Sequence, residues 1–153
     1  MSTLPVRHEF EDFFERVEPK LRTALVAVFG QEAGRDATAA ALAYGWEHWD
    51  RISGMGNPVG YLYRVGRSSQ RRRKEPRWIE APRDHTPHFE PGLPTAIAAL
   101  SEKQRLAVVL VHAYGWNRRE TADIVGISVS SIDTHLSRGL SRLRRSLGAE
   151  TND

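Results

Sequence analysis

The chain has 153 residues, a formal net charge of +3 and a hydrophobic fraction of 40%, enough for one compact domain or two small ones. It contains no cysteine, which excludes a disulfide framework, a zinc finger and thiol chemistry. Its longest apolar stretch, residues 106–111, is far too short to span a bilayer, and its N-terminal segment is acidic, unlike a signal peptide. We therefore expect a cytoplasmic protein without membrane insertion.

The positive charge is concentrated in two separate zones. Residues 59–83 carry eight Lys and Arg against two Asp and Glu, and residues 101–148 carry eight against four. By contrast, residues 1–58 carry six against nine. Two basic zones predict two places where a polyanion docks, and two solvated helix faces are the alternative.

The first half of the chain predicts three helices. Apolar residues recur at intervals of three and four over 8–29, the pattern of one buried helix face, and Pro19 is expected to kink or divide this helix. A second helix, rich in alanine and then in aromatic residues, is predicted over 33–52. A glycine-rich loop, 53–57, precedes a third helix over 58–74, which begins with a proline suited to a first helical turn.

Residues 75–93 are predicted to form a linker, because the segment is rich in proline and shows little periodicity. This linker divides the chain into one domain over 8–74 and another over 94–148. The predicted fold is therefore all-α, with a three-helix domain and a second small helical domain joined by a proline-rich linker.

The second domain is predicted to contain four helices. A short helix covers residues 94–100, and the next begins at Ser101 and ends at Tyr114. Asn117 is expected to cap the third helix, with Glu120 completing a capping box. The fourth helix is long, and its predicted buried stripe consists of Ile132, Leu136, Leu140, Leu143 and Leu147.

The last two of these helices, residues 118–125 and 129–147, predict a helix-turn-helix unit that enters a major groove of DNA. Gly126 between them is expected in the left-handed conformation that ends a helix. Ser128 is expected to cap the helix over 129–147, whose short polar residues let the backbone approach DNA. A plain helical hairpin with a basic tail is the alternative.

Two motifs carry a resemblance to a known family. Residues 99–145 read ALSEKQRLAVVLVHAYGWNRRETADIVGISVSSIDTHLSRGLSRLRR, and residues 44–73 read YGWEHWDRISGMGNPVGYLYRVGRSSQRRR. The first is similar to region 4, and the second to region 2, of the extracytoplasmic-function sigma factors of bacterial RNA polymerase, which belong to the sigma-70 family. The two motifs occur in the family's order, on either side of the predicted linker.

The resemblance implies two contacts with promoter DNA. Region 4 of the family contacts the −35 element, and the residues that inherit this role are Arg118, Arg119, Ser128, Ser130, Ser131, Thr134, His135 and Arg138. Region 2 reads and melts the −10 element, so the loop 53–57 would hold a flipped base. Aromatic and guanidinium groups suit unstacked bases and a separated strand. The residues with this implied role are Asn57, Tyr61, Arg64, Arg67, Ser68 and Arg71.

The resemblance also implies protein partners. The first protein partner is core RNA polymerase, with Asp36 and Trp46 as candidate contacts. The other implied partner is promoter DNA, in double-stranded and melted form. An anti-sigma factor, which restrains many family members, is a further candidate partner. One alternative function is therefore an interaction module, in which an inhibitory partner holds the two helical domains and DNA binding is secondary. For Trp46 and Trp49, placement in the hydrophobic core is favoured over base stacking.

The chain departs from the family pattern in three respects, one of which is that Arg35 reverses a charge next to the retained Asp36. In the segment RDATAAAL, residues 35–42, Ala39 and Ala40 stand where the family's acidic-glutamine cluster has Gln and Glu. Asp133 and His135 stand where members tend to have Lys and Arg, and an aspartate that faces phosphates is repulsive. The alternative function is therefore a sigma-like helix-turn-helix transcription regulator that does not bind core polymerase.

No group of residues in the sequence predicts catalysis, so we expect a protein that is not an enzyme and has no catalytic residues, cofactor or metal site. The six histidines are scattered, and only His85 and His88 lie close together. They fall in the predicted linker, without a nearby cysteine or helical carboxylate pair to complete a metal site.

Overall fold

The computed structural model describes residues 4–73 and 92–151, and every regular element in these ranges is a helix. The chain divides into two compact units, Met1–Pro76 and Arg77–Asp153. The predicted all-α fold with two helical units is therefore confirmed. The finer domain limits stay predictions, since most of the proposed linker lies outside the described residues. Among the described helices, none is long and apolar enough to cross a membrane.

Over residues 4–73 the first unit is built from four helices, and the third of them was not predicted. They are α1 (Leu4–Phe29), α2 (Gln31–Glu47), α3 (Trp49–Ile52) and α4 (Pro58–Arg73). α2 packs against both α1 and α4, and α1 also contacts α4. The continuous helix predicted over 33–52 is wrong, because the backbone leaves the helical region at His48, with a φ of −115°.

Helix α1 continues through Pro19, so the proline does not divide it. A proline inside a helix removes one N–H donor and crowds the preceding turn, at a cost of about 3 kcal/mol. The buried face of α1 outweighs this cost, because each large apolar side chain contributes roughly 1.5–3 kcal/mol when fully buried. That face includes Phe10, Phe13, Val17, Leu21, Leu25 and Val28.

Two glycines allow the helices of the first unit to approach closely. At Gly34 in α2, a Cβ would lie 2.5 Å from the Cα of Val26 in α1. At Gly66 in α4, a Cβ would lie 2.9 Å from the carbonyl oxygen of Ala37 in α2. Any side chain at either position would push the helices apart.

The second unit contains α5 (Leu93–Ala98), α6 (Glu102–Val108), a π-helical turn (Val109–Ala113), α7 (Arg118–Val125) and α8 (Val129–Thr151). α8 contacts α5, α6 and α7 and so organises the unit. The buried core of these contacts includes Ala96, Leu100, Ala107, Val108, Leu136 and Leu143. Of the predicted stripe on α8, Ile132 is buried as well, while Leu140 and Leu147 are partly buried.

Candidate nucleic-acid interface

The turn between α7 and α8 has the geometry that its sequence predicts. Asn117 caps α7 by accepting the backbone N–H of Glu120 at 2.8 Å. α7 ends at Val125 and is followed by Gly126, whose φ of 81° and ψ of 32° lie in the left-handed region that favours glycine. Ser128 caps α8, since its Oγ accepts the backbone N–H of Ser131 at 3.1 Å.

One detail of this turn differs from the prediction. The carboxylate of Glu120 accepts a hydrogen bond from the side-chain amide of Asn117 at 2.9 Å, where a capping box would use the backbone N–H of Asn117. Asparagine can do this because its side chain carries a donor as well as an acceptor. In the cap of α7, the side chains of Asn117 and Glu120 therefore bond to each other directly.

The predicted −35 residues surround the start of α8. Ser130, Thr134 and Arg138 recur at intervals of four and lie exposed on one face of the helix. Arg118, Arg119 and Ser128 are exposed, whereas Ser131 and His135 are half-buried. The hydroxyl of Ser128 also lies 3.1 Å from that of Ser130, so the first turn is a compact polar cluster. A contact between these residues and DNA stays a prediction.

Arg118 and Asp133 form an ion pair between the start of α7 and the first turns of α8, with both side chains about half exposed. From the sequence alone, the carboxylate of Asp133 was expected only to repel phosphates. The pair joins residues fifteen positions apart, and nothing in the local pattern indicates it. Its consequence is that the guanidinium of Arg118 already has a carboxylate partner.

Two further side chains of α8 differ from a simple solvated basic face. Burial lowers the pKa of His135, and the positive charges of Lys103 and Arg138 lower it further, so the neutral form is favoured. Arg142 donates to the carbonyl oxygen of Ala99 at 3.1 Å and to the side chain of Gln104 at 3.0 Å. Arg142 therefore holds α8 against the elements before it.

The second basic zone lies on α4. Asn57, a predicted −10 residue, accepts the backbone N–H of Gly60 at 3.1 Å and so caps this helix. Of the predicted −10 residues on the helix itself, Arg64, Ser68 and Arg71 are exposed, while Tyr61 and Arg67 are half-buried. Their spacing of three and four places them on one face of α4. Binding of DNA by this face stays a prediction.

A cluster of three polar side chains adjoins this face, and two of its members were missed from the sequence. The Nη2 of Arg51 donates to the hydroxyl of Tyr44 at 2.6 Å and to that of Tyr61 at 3.3 Å. The two hydroxyls lie 3.3 Å apart. Tyr44 and Arg51 are seven residues apart, a spacing typical of one helix face, which was the only local signal.

The cluster changes the acidity of its two phenols in opposite directions. The hydrogen bond with Tyr61, followed by the hydrogen bond and charge of Arg51, lowers the pKa of Tyr44. The same hydrogen bond between the phenols, followed by burial, raises the pKa of Tyr61. Arg51 also sits over the ring of Tyr61, with its guanidinium carbon 5.8 Å from the ring centroid.

A third feature is an open groove of about 830 Å³ between α1 and α2. Its lining includes Phe14 and Trp46, whose side chains are 39% and 49% exposed. The expectation that Trp46 belongs to the core is therefore wrong, whereas Trp49 is buried at 7% exposure as expected. Asp36, the other candidate for polymerase binding, is exposed on α2.

The described residues contain no group of three or more His, Asp and Glu that could hold a metal ion. His85 and His88 lie outside the described ranges.

Comparisons with known proteins point to one family. The family "Sigma-70, region 4" matches residues 92–143. An RNA polymerase sigma-E factor of Streptomyces antibioticus is 30% identical over 158 aligned positions, covering 95% of this chain and 87% of that protein. The RNA polymerase sigma-E factor of Streptomyces coelicolor is 29% identical, covering 95% and 89%.

Solved structures share the fold at lower sequence identity. The sigma factor RpoE from Bartonella quintana, in complex with the anti-sigma factor NepR, matches with a TM-score of 0.63 and 22% identity over 92% of this chain and 97% of that chain. CnrH, in complex with the cytosolic domain of CnrY, matches with a TM-score of 0.61 and 19% identity over 94% and 90%.

Proposed function

This chain belongs to the extracytoplasmic-function sigma factors of bacterial RNA polymerase, and we propose that it directs the polymerase to promoters through their −35 and −10 elements. The observation that carries the proposal is the exposed face of α8, which begins at a capped turn directly after a helix-turn-helix glycine. By the same proposal the protein acts in the cytoplasm, catalyses no reaction of its own and needs no cofactor.

The second unit would bind duplex DNA at the −35 element. Ser130, Thr134 and Arg138 offer short hydroxyls and one long cation along the exposed face of α8. Hydroxyls close to the helix backbone suit close approach to base edges, and arginine suits guanine or phosphate. Arg118 and Arg119 at the start of α7 would contact phosphates beside the groove.

The first unit would bind the −10 element as a separated strand. Arg64, Arg67 and Arg71 share one face of α4 with Tyr61, next to the loop 53–57. A single strand needs charge along its backbone and aromatic surface against its bases. A protein that binds only duplex DNA through its second unit has no need of this second cationic face.

Core polymerase would dock at the groove between α1 and α2. An aromatic side chain that is half exposed, as Trp46 is, commonly anchors a protein interface. Asp36, which is exposed on the same helix, would supply a charged contact to the polymerase. An anti-sigma factor is a further candidate partner for this chain, and it would compete with core polymerase.

The alternative is a sigma-like regulator that binds DNA without core polymerase. It is favoured by one observation, the presence of Ala39 and Ala40 where the family carries Gln and Glu. Ala39 lies exposed in the lining of the groove, so this exchange removes polar groups from the proposed docking surface.

Co-elution with core polymerase tests the choice between the two functions. The purified full chain should co-elute with bacterial core polymerase and support promoter-dependent transcripts, and Trp46→Ala should weaken co-elution while Trp46→Phe retains most of it. DNA binding by the chain without any co-elution would favour the regulator. If both variants co-elute as well as the wild-type chain, Trp46 does not lie in the interface with core polymerase.

A further inference from the structure

Arg51 stands at the edge of the proposed −10 surface without an assigned role. It lies on α3, while its two hydrogen-bonding partners, Tyr44 and Tyr61, lie on α2 and α4. The three side chains therefore join three helices beside the loop 53–57. The ring of His48 contacts that of Tyr44 in a tilted arrangement, with the two centroids 4.2 Å apart.

The contacts of Arg51 orient its side chain but leave its charge unbalanced. Both acceptors are phenol oxygens, and within the described ranges Arg51 forms no ion pair with a carboxylate. The hydrogen bond to Tyr44, followed by the electrostatic influence of both phenols, raises the pKa of Arg51, so it stays cationic. Both hydrogen bonds use Nη2, which leaves the Nε and Nη1 donors for an anion.

We propose that Arg51 binds a backbone phosphate of the separated −10 strand and that Tyr44 and Tyr61 hold its guanidinium in place before DNA arrives. The inference rests on the proposed function of α4 as a strand-binding face. Tyr61 begins that face, so a strand lying along Arg64, Arg67 and Arg71 would end beside Arg51.

The physical benefit of the cluster is preorganisation. A free arginine loses much side-chain freedom when it binds a phosphate, and this loss weakens binding. An arginine whose planar group is already held by two hydroxyls and an aromatic ring loses less. Arg51 therefore acts directly on the phosphate, whereas Tyr44 is a positioning residue that acts through Arg51.

The test uses holoenzyme, assembled from the full chain and core polymerase, and a fork-junction DNA with a single-stranded −10 segment. Each phosphate of that segment is replaced in turn by an uncharged methylphosphonate. In the wild type, one replacement near the loop should weaken binding roughly tenfold, the loss expected for a hydrogen bond to a charged group. Arg51→Ala should weaken binding to the unmodified DNA by a similar factor and become insensitive at that same linkage alone.

Two further measurements separate binding from mere support of the fold. The slope of log affinity against log salt should fall by about 0.7 in Arg51→Ala, the value for one phosphate of a single strand. Tyr44→Phe keeps the ring but removes the hydroxyl that accepts from Arg51. As a single substitution it should therefore weaken binding of the fork-junction DNA about threefold. It should have no effect when Arg51→Ala is already present, because the two changes act through one contact.

The control is a substitution of another exposed arginine in the same chain. Arg16→Ala removes an exposed arginine of α1 and should keep the wild-type linkage profile and co-elution. Unchanged linkage sensitivity and salt slope in Arg51→Ala would overturn the inference. If Arg51→Ala does not fold, the linkage profiles of Arg51→Lys and Tyr44→Phe decide instead, and two wild-type profiles would overturn it. If Arg67→Ala with Arg71→Ala also binds the fork normally, the proposed function of α4 fails rather than Arg51 alone.

Discussion

The ion pair between Asp133 and Arg118 changes the effect that Asp133 is expected to have on DNA binding. As an isolated acid on the recognition helix, it would only repel phosphates. Paired with Arg118, it also occupies a guanidinium that the proposed function assigns to DNA. Two effects of the same carboxylate therefore oppose duplex binding.

Asp133→Lys should strengthen binding of the full chain to a −35-type duplex by roughly 1 kcal/mol or more. The change removes a repulsive charge, adds a phosphate contact and releases Arg118. Fluorescence anisotropy at several salt concentrations measures both the affinity and its salt slope. With Arg118→Ala present, Asp133→Asn should strengthen binding less than it does alone.

Glu15→Lys is the matched control for Asp133→Lys, since it makes the same change of net charge on an exposed position of α1. It should leave duplex affinity nearly unchanged. An equal gain from both variants would mean that only net charge matters. No gain from Asp133→Lys would mean that this side of α8 faces away from DNA.

His135 provides a pH dependence with a definite sign. Its pKa lies below the ordinary value of 6.5, because of burial first and then Lys103 and Arg138, so the folded chain binds its proton less readily than the unfolded chain does. The stabilising contribution is therefore fully present above pH 6.5 and is lost as the pH falls below that value.

His135→Gln should flatten this loss of stability, because glutamine does not titrate. Thermal unfolding followed by circular dichroism, from about pH 8 to about pH 5, measures the effect across the range in which histidine titrates. His112→Gln, at an exposed histidine of the same unit, should retain the wild-type dependence. A steeper loss in His135→Gln would contradict the sign of the shift.

Residue roles could be predicted where the interaction is local. Asn117 and Ser128 were predicted as caps because a cap depends on positions three residues away. The pairing of Arg118 with Asp133 and the ties of Arg142 to Ala99 could not be predicted, because each depends on how two helices meet. The exposure of Trp46 was missed for the same reason.

At the scale of helices, ends marked by capping residues were predicted better than changes inside a helix. α4 begins at Pro58, and α7 is terminated by Gly126, as their sequences indicate. The break at His48 and the π-helical turn after α6 have no such marker. In the latter, the N–H of Tyr114 bonds the carbonyl of Val109, five residues back, a pattern set by packing and not by a single residue.

Helix α8 contains two glycines that should respond to alanine in opposite directions. At Gly139 a Cβ would lie 2.8 Å from a methyl carbon of Val108, a stiff and buried side chain. Overpacking of this kind costs about 1–3 kcal/mol, so Gly139→Ala should destabilise the second unit. At Gly148 nothing lies within 4 Å, so Gly148→Ala should stabilise it by about 0.5–1 kcal/mol.

Urea unfolding of the full chain measures both glycine variants, and Gly148→Ala serves as the matched control within one helix. The slope of free energy against urea should not change, since neither variant alters the surface exposed on unfolding. A neutral or stabilising Gly139→Ala would mean that α6 and α8 lie further apart than the distance to Val108 indicates.

At the scale of the whole molecule, the two proposed DNA surfaces lie in different units and serve different forms of DNA. Duplex recognition needs a helix that fits a groove, which α8 provides. Strand separation needs cations and an aromatic ring on one face, which α4 provides. The two activities should therefore be separable by substitution, and that separation distinguishes a sigma factor from a regulator that binds duplex DNA alone.

Replacing Arg67 and Arg71 with alanine should abolish open-complex formation by the holoenzyme and leave duplex binding by the chain nearly intact. Permanganate footprinting of unpaired thymines reports the first activity, and a gel shift with a −35-type duplex reports the second. The reason is that both arginines lie on the proposed strand-binding face of α4, whereas duplex contacts would come from α7 and α8. Loss of both activities together would indicate misfolding, which co-elution with core polymerase detects independently. Survival of both activities would overturn the strand-binding role proposed for this face of α4. The regulator would be favoured by a different result, the absence of open complexes when the wild-type chain is combined with core polymerase.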